Sequence, residues 1–162
     1  MSEDKPDLSQ FLPEGWEGKY PPCLIQVDQD GGLFHDGAPI IHPAVLQTIY
    51  SSVHLEEGRY ILKVDHQVCE LEVKDTFFVV QSAAQAGDRL VLTLNDGSRE
   101  DLDPATLAVG AEEVLYCRVK RGKFPARFLR PAYYQVTDLV EEAGEGFALR
   151  LGERSFPIPH RP

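Results

Sequence analysis

The sequence predicts an α+β fold of two related halves, preceded by an extended arm. Three observations carry that prediction. Strand-length runs bounded by glycine turns recur from Cys23 to Ile158. Two short apolar stripes at the helical period, opened by Pro43 and Pro131, interrupt those runs. The stretches around the two helices also match each other, element by element and partly residue by residue.

Residues 1–22 form the arm. Pro6, Pro13, Pro21 and Pro22, with Gly15 and Gly18, oppose regular structure there. Phe11, Trp16 and Tyr20 are spaced along it, and Trp16, the only tryptophan, is expected to pin it to the body. The first α+β half spans 23–75. Leu24 to Val27 reads as a strand, Asp30-Gly31-Gly32 as a turn, and Leu33-Phe34 as the start of the returning strand. Asp36-Gly37 marks a second turn. Pro43 then opens a helix whose Val45, Ile49 and Val53 fall on one stripe, with Leu46 and Tyr50 beside it. Tyr60–Val64, Val68–Val73, Phe77–Gln81 and Leu90–Leu94 read as strands.

The second half, 76–162, is mainly β with one helix. Asn95-Asp96-Gly97-Ser98 signals a hairpin, and Asp103-Pro104 a helical turn inside an acidic connection. Val114–Lys120 reads as a strand, Arg121-Gly122 as a turn and Lys123–Phe128 as the return. Pro131 opens the second helix, with Ala132, Val136 and Val140 spaced by four and Leu139 beside them. Phe147, Leu149 and Leu151 alternate on a strand, Gly152 turns it, and Phe156 and Ile158 alternate on the last one.

The two halves share a short repeat. His42-Pro43-Ala44-Val45-Leu46-Gln47 matches Arg130-Pro131-Ala132-Tyr133-Tyr134-Gln135 at an offset of 88 positions. Each match lies between glycine-turned hairpins, so the unit is hairpin, helix, hairpin. Two such units, packed together, bury faces that one helix cannot cover. A groove between halves is a common place for a ligand.

Composition narrows the function. The chain has 162 residues, 16 Lys plus Arg and 26 Asp plus Glu, for a net charge of −10. General nucleic-acid binding needs the opposite balance. A chain this long buries roughly 70% of its unfolded surface, so no disulfide or metal is required for folding. No apolar run approaches the ~20 residues of a membrane span. The start, Met1-Ser2-Glu3-Asp4-Lys5-Pro6-Asp7, lacks the basic and apolar regions of a secretory signal, so the expected compartment is the cytoplasm. Cys23, Cys69 and Cys117 are dispersed, odd in number and outside any C-x-x-C pair, which argues against a disulfide framework and a structural zinc. Cys69 shares strand parity with Leu71 and Val73, and Cys117 with Leu115 and Val119, so both read as buried apolar thiols.

The most unusual local feature is basic. Arg118, Lys120, Arg121, Lys123, Arg127 and Arg130 fall in one window that holds no acid, while the rest of the chain has 10 basic and 26 acidic residues. Strand parity puts Arg118 and Lys120 with Tyr116, opposite Leu115, Cys117 and Val119. Several Lys and Arg on one hairpin face suit a phosphate, a carboxylate or an acidic peptide. The competing expectation is a solvated face attracted to the protein's own acidic surface. His42 and Arg130 hold equivalent places before the two prolines, suited to satisfying a helix start or lining the groove. The five histidines form no helical pair, so no metal site and no cofactor are expected. No G-x-S-x-G or P-loop is present, and no catalytic residue is assigned.

Three stretches resemble a bacterial family of uncharacterised proteins, domain-of-unknown-function family 1285. They are Phe34-His35-Asp36-Gly37-Ala38-Pro39-Ile40, then Leu71-Glu72-Val73-Lys74-Asp75-Thr76-Phe77, and then Val119-Lys120-Arg121-Gly122 with Ala126-Arg127-Phe128-Leu129-Arg130-Pro131 and Tyr133-Tyr134. The resemblance covers roughly Cys23 to Pro159. It implies a duplicated α+β protein whose second half is similar to a pleckstrin-homology-like (PH-like) β roll. It implies no known enzyme activity, and a role in ligand or protein binding, in signalling, only by way of that shape. The sequence departs from the family at Val64-Asp65-His66-Gln67, where Thr-Pro and Glu-Lys are usual, and at Leu94-Asn95, where Thr-Asn is usual. Asn95 is counted among the candidate ligand residues.

The expected function is therefore non-enzymatic binding of an anionic small molecule or an acidic peptide, at the basic hairpin or the groove. The rival is a small hydrolase or isomerase with an Asp, His or Cys site assembled across the fold.

Overall fold

The computed structural model describes residues 20–161. Phe11 and Trp16 of the expected arm lie outside the described residues. The fold is α+β: short strands dominate, with two α-helices. The chain divides into two compact units, one ending at Phe77 and the other starting at Phe78. Among the described residues, no helix is long and apolar enough to cross a membrane.

Unit 1 is a six-stranded sheet with one helix. A first meander comprises β1 (Pro22–Val27), β2 (Leu33–His35) and β3 (Ala38–Pro39). Asp28 builds its first turn, since its Oδ1 accepts from the N–H groups of Asp30 at 3.0 Å and Gly32 at 2.8 Å. Asp36 and Gly37 build the second at φ 51° and 80°, the positive pair that a two-residue hairpin turn requires. Helix α1 (Pro43–Ser52) follows, packed on β5. A second meander comprises β4 (Val53–Glu56), β5 (Arg59–Val64) and β6 (Gln67–Val73). Val53, expected on the helical stripe, instead begins β4. Tyr60, Ile61 and Leu62 are buried in succession, so β5 is covered on both faces.

The two meanders join through β1 and β6, which run parallel, giving the order β3-β2-β1-β6-β5-β4. Their register slips. Between the pairs Pro22↔Glu70 and Gln26↔Glu72, β1 advances four residues and β6 two. This bulge places Leu24 at φ 62° and leaves it 44% exposed. Beside Leu24, Cys23 is disulfide-bonded to Cys69. This corrects the expectation of unpaired thiols. The two cysteines are 46 positions apart in sequence, yet their Cα atoms lie 5.0 Å apart across adjacent strands. Spacing along a chain does not report pairing across a sheet. Cys117 is free and buried, as strand parity predicts.

Unit 2 contains a second six-stranded sheet, a helix and a separate three-stranded sheet. Its first meander is β7 (Phe78–Ala86), β8 (Arg89–Leu94) and β9 (Arg99–Asp101). A 3-10 turn at Pro104–Thr106, capped by Asp103, leads to β10 (Ala108–Val109), β11 (Leu115–Val119) and β12 (Phe124–Phe128). The sheet order is β10-β11-β12-β7-β8-β9, with β12 and β7 parallel. Counted from the first strand of each sheet, both units have the order 3-2-1-6-5-4. The helices hold different places in it: α1 lies between the third and fourth strands, whereas α2 (Arg130–Thr137) follows the sixth.

Helix α2 packs on β7, where Phe78, Val79 and Val80 are all buried. Gln135 Oε1 accepts from the Ala83 N–H at 2.6 Å. Beyond the helix, β13 (Val140–Ala143), β14 (Gly146–Leu151) and β15 (Arg154–Pro157) form the small sheet. Strand β7 runs past the expected Gln81, because pairing with β8 holds the pattern-free Ser82–Ala86 stretch extended. Val140 starts a strand instead of continuing the helical stripe.

Candidate functional site

The basic window occupies the β11–β12 hairpin and the start of α2. Leu115, Cys117 and Val119 of β11, with Phe124, Ala126 and Phe128 of β12, point into the core of unit 2. Alternation therefore sends Tyr116, Arg118, Pro125 and Arg127 to the opposite face. Tyr116 pairs in register with Arg127, and Arg118 with Pro125.

The tip is built by Lys120, Arg121 and Gly122, at φ 56°, 60° and 77°. Arg118 braces it: Nε donates to the Gly122 carbonyl at 2.7 Å and one terminal nitrogen donates to the Lys123 carbonyl at 3.3 Å. Arg121 and Lys123 are exposed on this tip, and their side chains make no hydrogen bond or ion pair among the described residues. The same holds for Arg130, exposed at the first position of α2.

Lys120 departs from its expected face. It lies past the end of β11, where its left-handed backbone breaks the strand alternation. Its ammonium donates to Asp96 Oδ2 at 2.6 Å and Ser98 Oγ at 2.9 Å, and sits 5.1 Å from the centroid of the Phe78 ring. Its backbone N–H donates to the Glu100 carboxylate at 3.0 Å. Burial pushes the Asp96 carboxyl up, but the hydrogen bonds from Lys120 and Ser98 outweigh it and hold the group below its ordinary range. Lys120 is thus an internal ion pair that ties the hairpin tip to the β8–β9 turn.

Two other sequence-predicted residues serve the fold. His42 caps α1, its Nδ1 accepting from the Ala44 N–H at 3.2 Å, in unit 1. Asn95 Oδ1 accepts from the Val79 N–H at 3.0 Å, and its own N–H donates to the Val79 carbonyl at 3.2 Å. The structure therefore brings Arg118, Arg121, Lys123 and Arg127 onto one hairpin, commits Lys120 to acids, and gives His42 and Asn95 backbone partners.

A further member was not legible. The Arg161 guanidinium lies 3.9 Å from the centroid of the Tyr116 ring, adding a cation to the hairpin's outer face. The only sequence signal was Tyr116 on that face. Chemically, guanidinium and ammonium groups around a turn offer charge-assisted hydrogen bonds to phosphate or carboxylate oxygens. Among the described residues, no group of three or more His, Cys, Asp or Glu could hold a metal ion.

No protein-family model and no curated protein matches the chain. Two solved structures do. A DUF1285 family protein from Silicibacter pomeroyi DSS-3 superposes with a TM-score of 0.69 at 22% identity, over 93% of this chain and 91% of that one. A DUF1285 family protein from Shewanella baltica OS155 gives 0.61 at 16% identity, over 71% of this chain and 91% of that one. The chain therefore has the fold of the DUF1285 family, the family that its three sequence stretches resemble.

Proposed function

We propose that this chain is a non-enzymatic DUF1285 family member that binds a phosphate- or carboxylate-bearing ligand at the β11–β12 hairpin. The ligand is an anionic small molecule or an acidic peptide. One observation carries the proposal: in a chain of net charge −10, the exposed tip presents Arg121 and Lys123 without internal partners among the described residues. Binding without chemistry suits a role in signalling. The shared strand order of the two sheets supports related halves, and the packing of α2 on β7 of the second six-stranded sheet supports the PH-like description.

In its cysteine form, the rival small hydrolase or isomerase needs an activated thiol nucleophile. Cys23 and Cys69 are joined to each other. Cys117 is buried, and desolvation, with Glu100 and Asp103 nearby, pushes its thiol up, away from the reactive thiolate. These observations favour binding over cysteine chemistry. The proposed compartment stays the cytoplasm. There the disulfide would face a reducing pool, but its cysteines are 0% and 4% exposed, which shields them from thiol exchange while unit 1 is folded.

The test titrates inorganic phosphate, citrate and an oligo-glutamate peptide into the wild type and the Arg121→Glu, Lys123→Glu variant by calorimetry. At least one probe is expected to bind the wild type and to lose tenfold or more in affinity on the variant. Equal affinity for both proteins, or no binding of any probe at millimolar concentration, refutes the proposal.

A further inference from the structure

The edge of the second six-stranded sheet holds a built slot. Strand β10 is the outermost strand, and its backbone would otherwise be open. Residues 159–161 lie along it, joined by a single parallel bridge between His160 and Val109. The Val109 N–H donates to the Pro159 carbonyl at 2.8 Å, and the Arg161 N–H donates to the Val109 carbonyl at 2.7 Å. Two residues therefore bracket Val109, and the second sends its guanidinium over Tyr116 at 3.9 Å.

Gly110 forms the floor. Its backbone, at φ −99° and ψ −161°, is extended and suits any residue. Space is what excludes a side chain: an added Cβ would lie 2.6 Å from Tyr116 Cε2 and 3.5 Å from Arg161 Cδ. The ring of Tyr116 thus rests against bare backbone on one side and receives a guanidinium. A planar cation over a ring is a match for arginine more than for lysine.

The occupant sits at the surface. Pro159, His160 and Arg161 are all exposed. Strand β15 ends at Pro157, and the last bond before the crossing is the Ile158 N–H to the Phe147 carbonyl at 2.9 Å. Residues 159–161 can therefore leave without opening the core. Pro157 and Pro159 favour the extended conformation that the edge receives.

We propose that the β10 edge, Gly110 and Tyr116 form a recognition slot for an extended, arginine-bearing peptide, filled in cis by residues 159–161. The register is fixed: a carbonyl that accepts from the Val109 N–H, two residues before an arginine whose own N–H donates to the Val109 carbonyl. A segment of another chain with that pattern occupies the same slot when the resident one leaves. This is strand addition with a single side-chain anchor.

The probe is a fluorescent peptide of residues 156–161, Phe-Pro-Ile-Pro-His-Arg, and its Arg→Ala counterpart, followed by anisotropy. The hosts are the full chain and its Arg161→Ala variant, which weakens the resident competitor. The resident segment acts at a high effective concentration, so the Arg161→Ala host is expected to bind the arginine peptide at least tenfold more tightly than the wild type does. The alanine peptide should bind that host at least tenfold more weakly. Adding Gly110→Val should abolish binding. Should that variant fail to fold by circular dichroism, Tyr116→Leu removes the ring alone and must abolish the preference for arginine over alanine. No binding of the arginine peptide to the Arg161→Ala host at 1 mM, or equal binding of the two peptides, overturns the proposal.

Discussion

Removing the Cys23–Cys69 bond, by Cys23→Ala with Cys69→Ala or by reduction, should destabilise unit 1 substantially. The bond closes a loop of 46 positions. In the chain-entropy account, closing a loop of that length removes roughly 13 cal/mol/K from the unfolded ensemble, or about 4 kcal/mol at 25 °C. For a chain of this size, where each kcal/mol moves the melting point by roughly 2–4 °C, the loss is about 8–16 °C. The bond also pins the bulge that holds Leu24 at φ 62°, so β1 loses its tie to β6 where the register slips. The first assay counts thiols: alkylation in denaturant without reductant, read by mass spectrometry, should modify Cys117 alone. After reduction all three cysteines should react. The second compares melting by circular dichroism for the oxidised wild type and the double variant. Three reactive thiols before reduction refute the pairing. A single thiol with melting points within 2 °C refutes the loop-closure reasoning, and shows that the unfolded chain already keeps these strands together.

Other perturbations separate structural cations from the proposed ligand cations. Lys120→Met should cost about 1–3 kcal/mol, measured by urea unfolding, because it strands the part-buried Asp96 carboxylate. The Asp96 carboxyl is held below its ordinary value of 3.8, so its contribution is complete above that value and is lost as pH falls through the folded one. The Lys120→Met variant should therefore lose less stability than the wild type between pH 5 and about 2, seen as a flatter melting-point profile. Arg121→Glu with Lys123→Glu should leave the melting point within about 2 °C, since exposed charges away from partners contribute little. Gln135→Leu should cost about 1–2 kcal/mol by leaving the Ala83 N–H unpaired, and its amide should exchange faster by NMR. Cys117 should resist alkylation in the native state, with iodoacetamide reacting only on unfolding.

Local elements were legible because their causes are local. The Asp36-Gly37 and Asn95–Ser98 turns, the prolines that open both helices and the Asp103 cap each act within four residues. Alternation on β11 predicted which side chains would be buried, and the burial of Leu115, Cys117 and Val119 follows it. What failed was whatever depends on neighbours far along the chain. The Ser82–Ala86 stretch has no strand pattern of its own, and only its partner β8 holds it extended. Val53 and Val140 extend the helical stripes on paper, but each starts a strand whose hairpin partner competes for it. Cys23 and Cys69 meet because β1 lies beside β6, a choice made by the whole sheet.

The site divides along the same line. Composition found the hairpin, since six cations without an acid need no fold to be noticed. Parity then misplaced Lys120, because it assumes a strand and the strand ends at Val119. One left-handed residue turned a supposed ligand cation into the lock on the β8–β9 turn. The same tertiary arrangement supplied Arg161, which sequence distance separates from Tyr116 by 45 positions. A charge count therefore overestimates the hairpin's capacity for a ligand. Lys120 faces Asp96 and Glu100, and two donors of Arg118 brace the turn, so the anion would meet chiefly Arg121 and Lys123. Screening over roughly 10 Å at 0.1 M salt further limits help from more distant cations. Affinity for an anion at this tip should accordingly fall steeply between 50 and 300 mM NaCl, and a salt-independent affinity would place the contacts elsewhere.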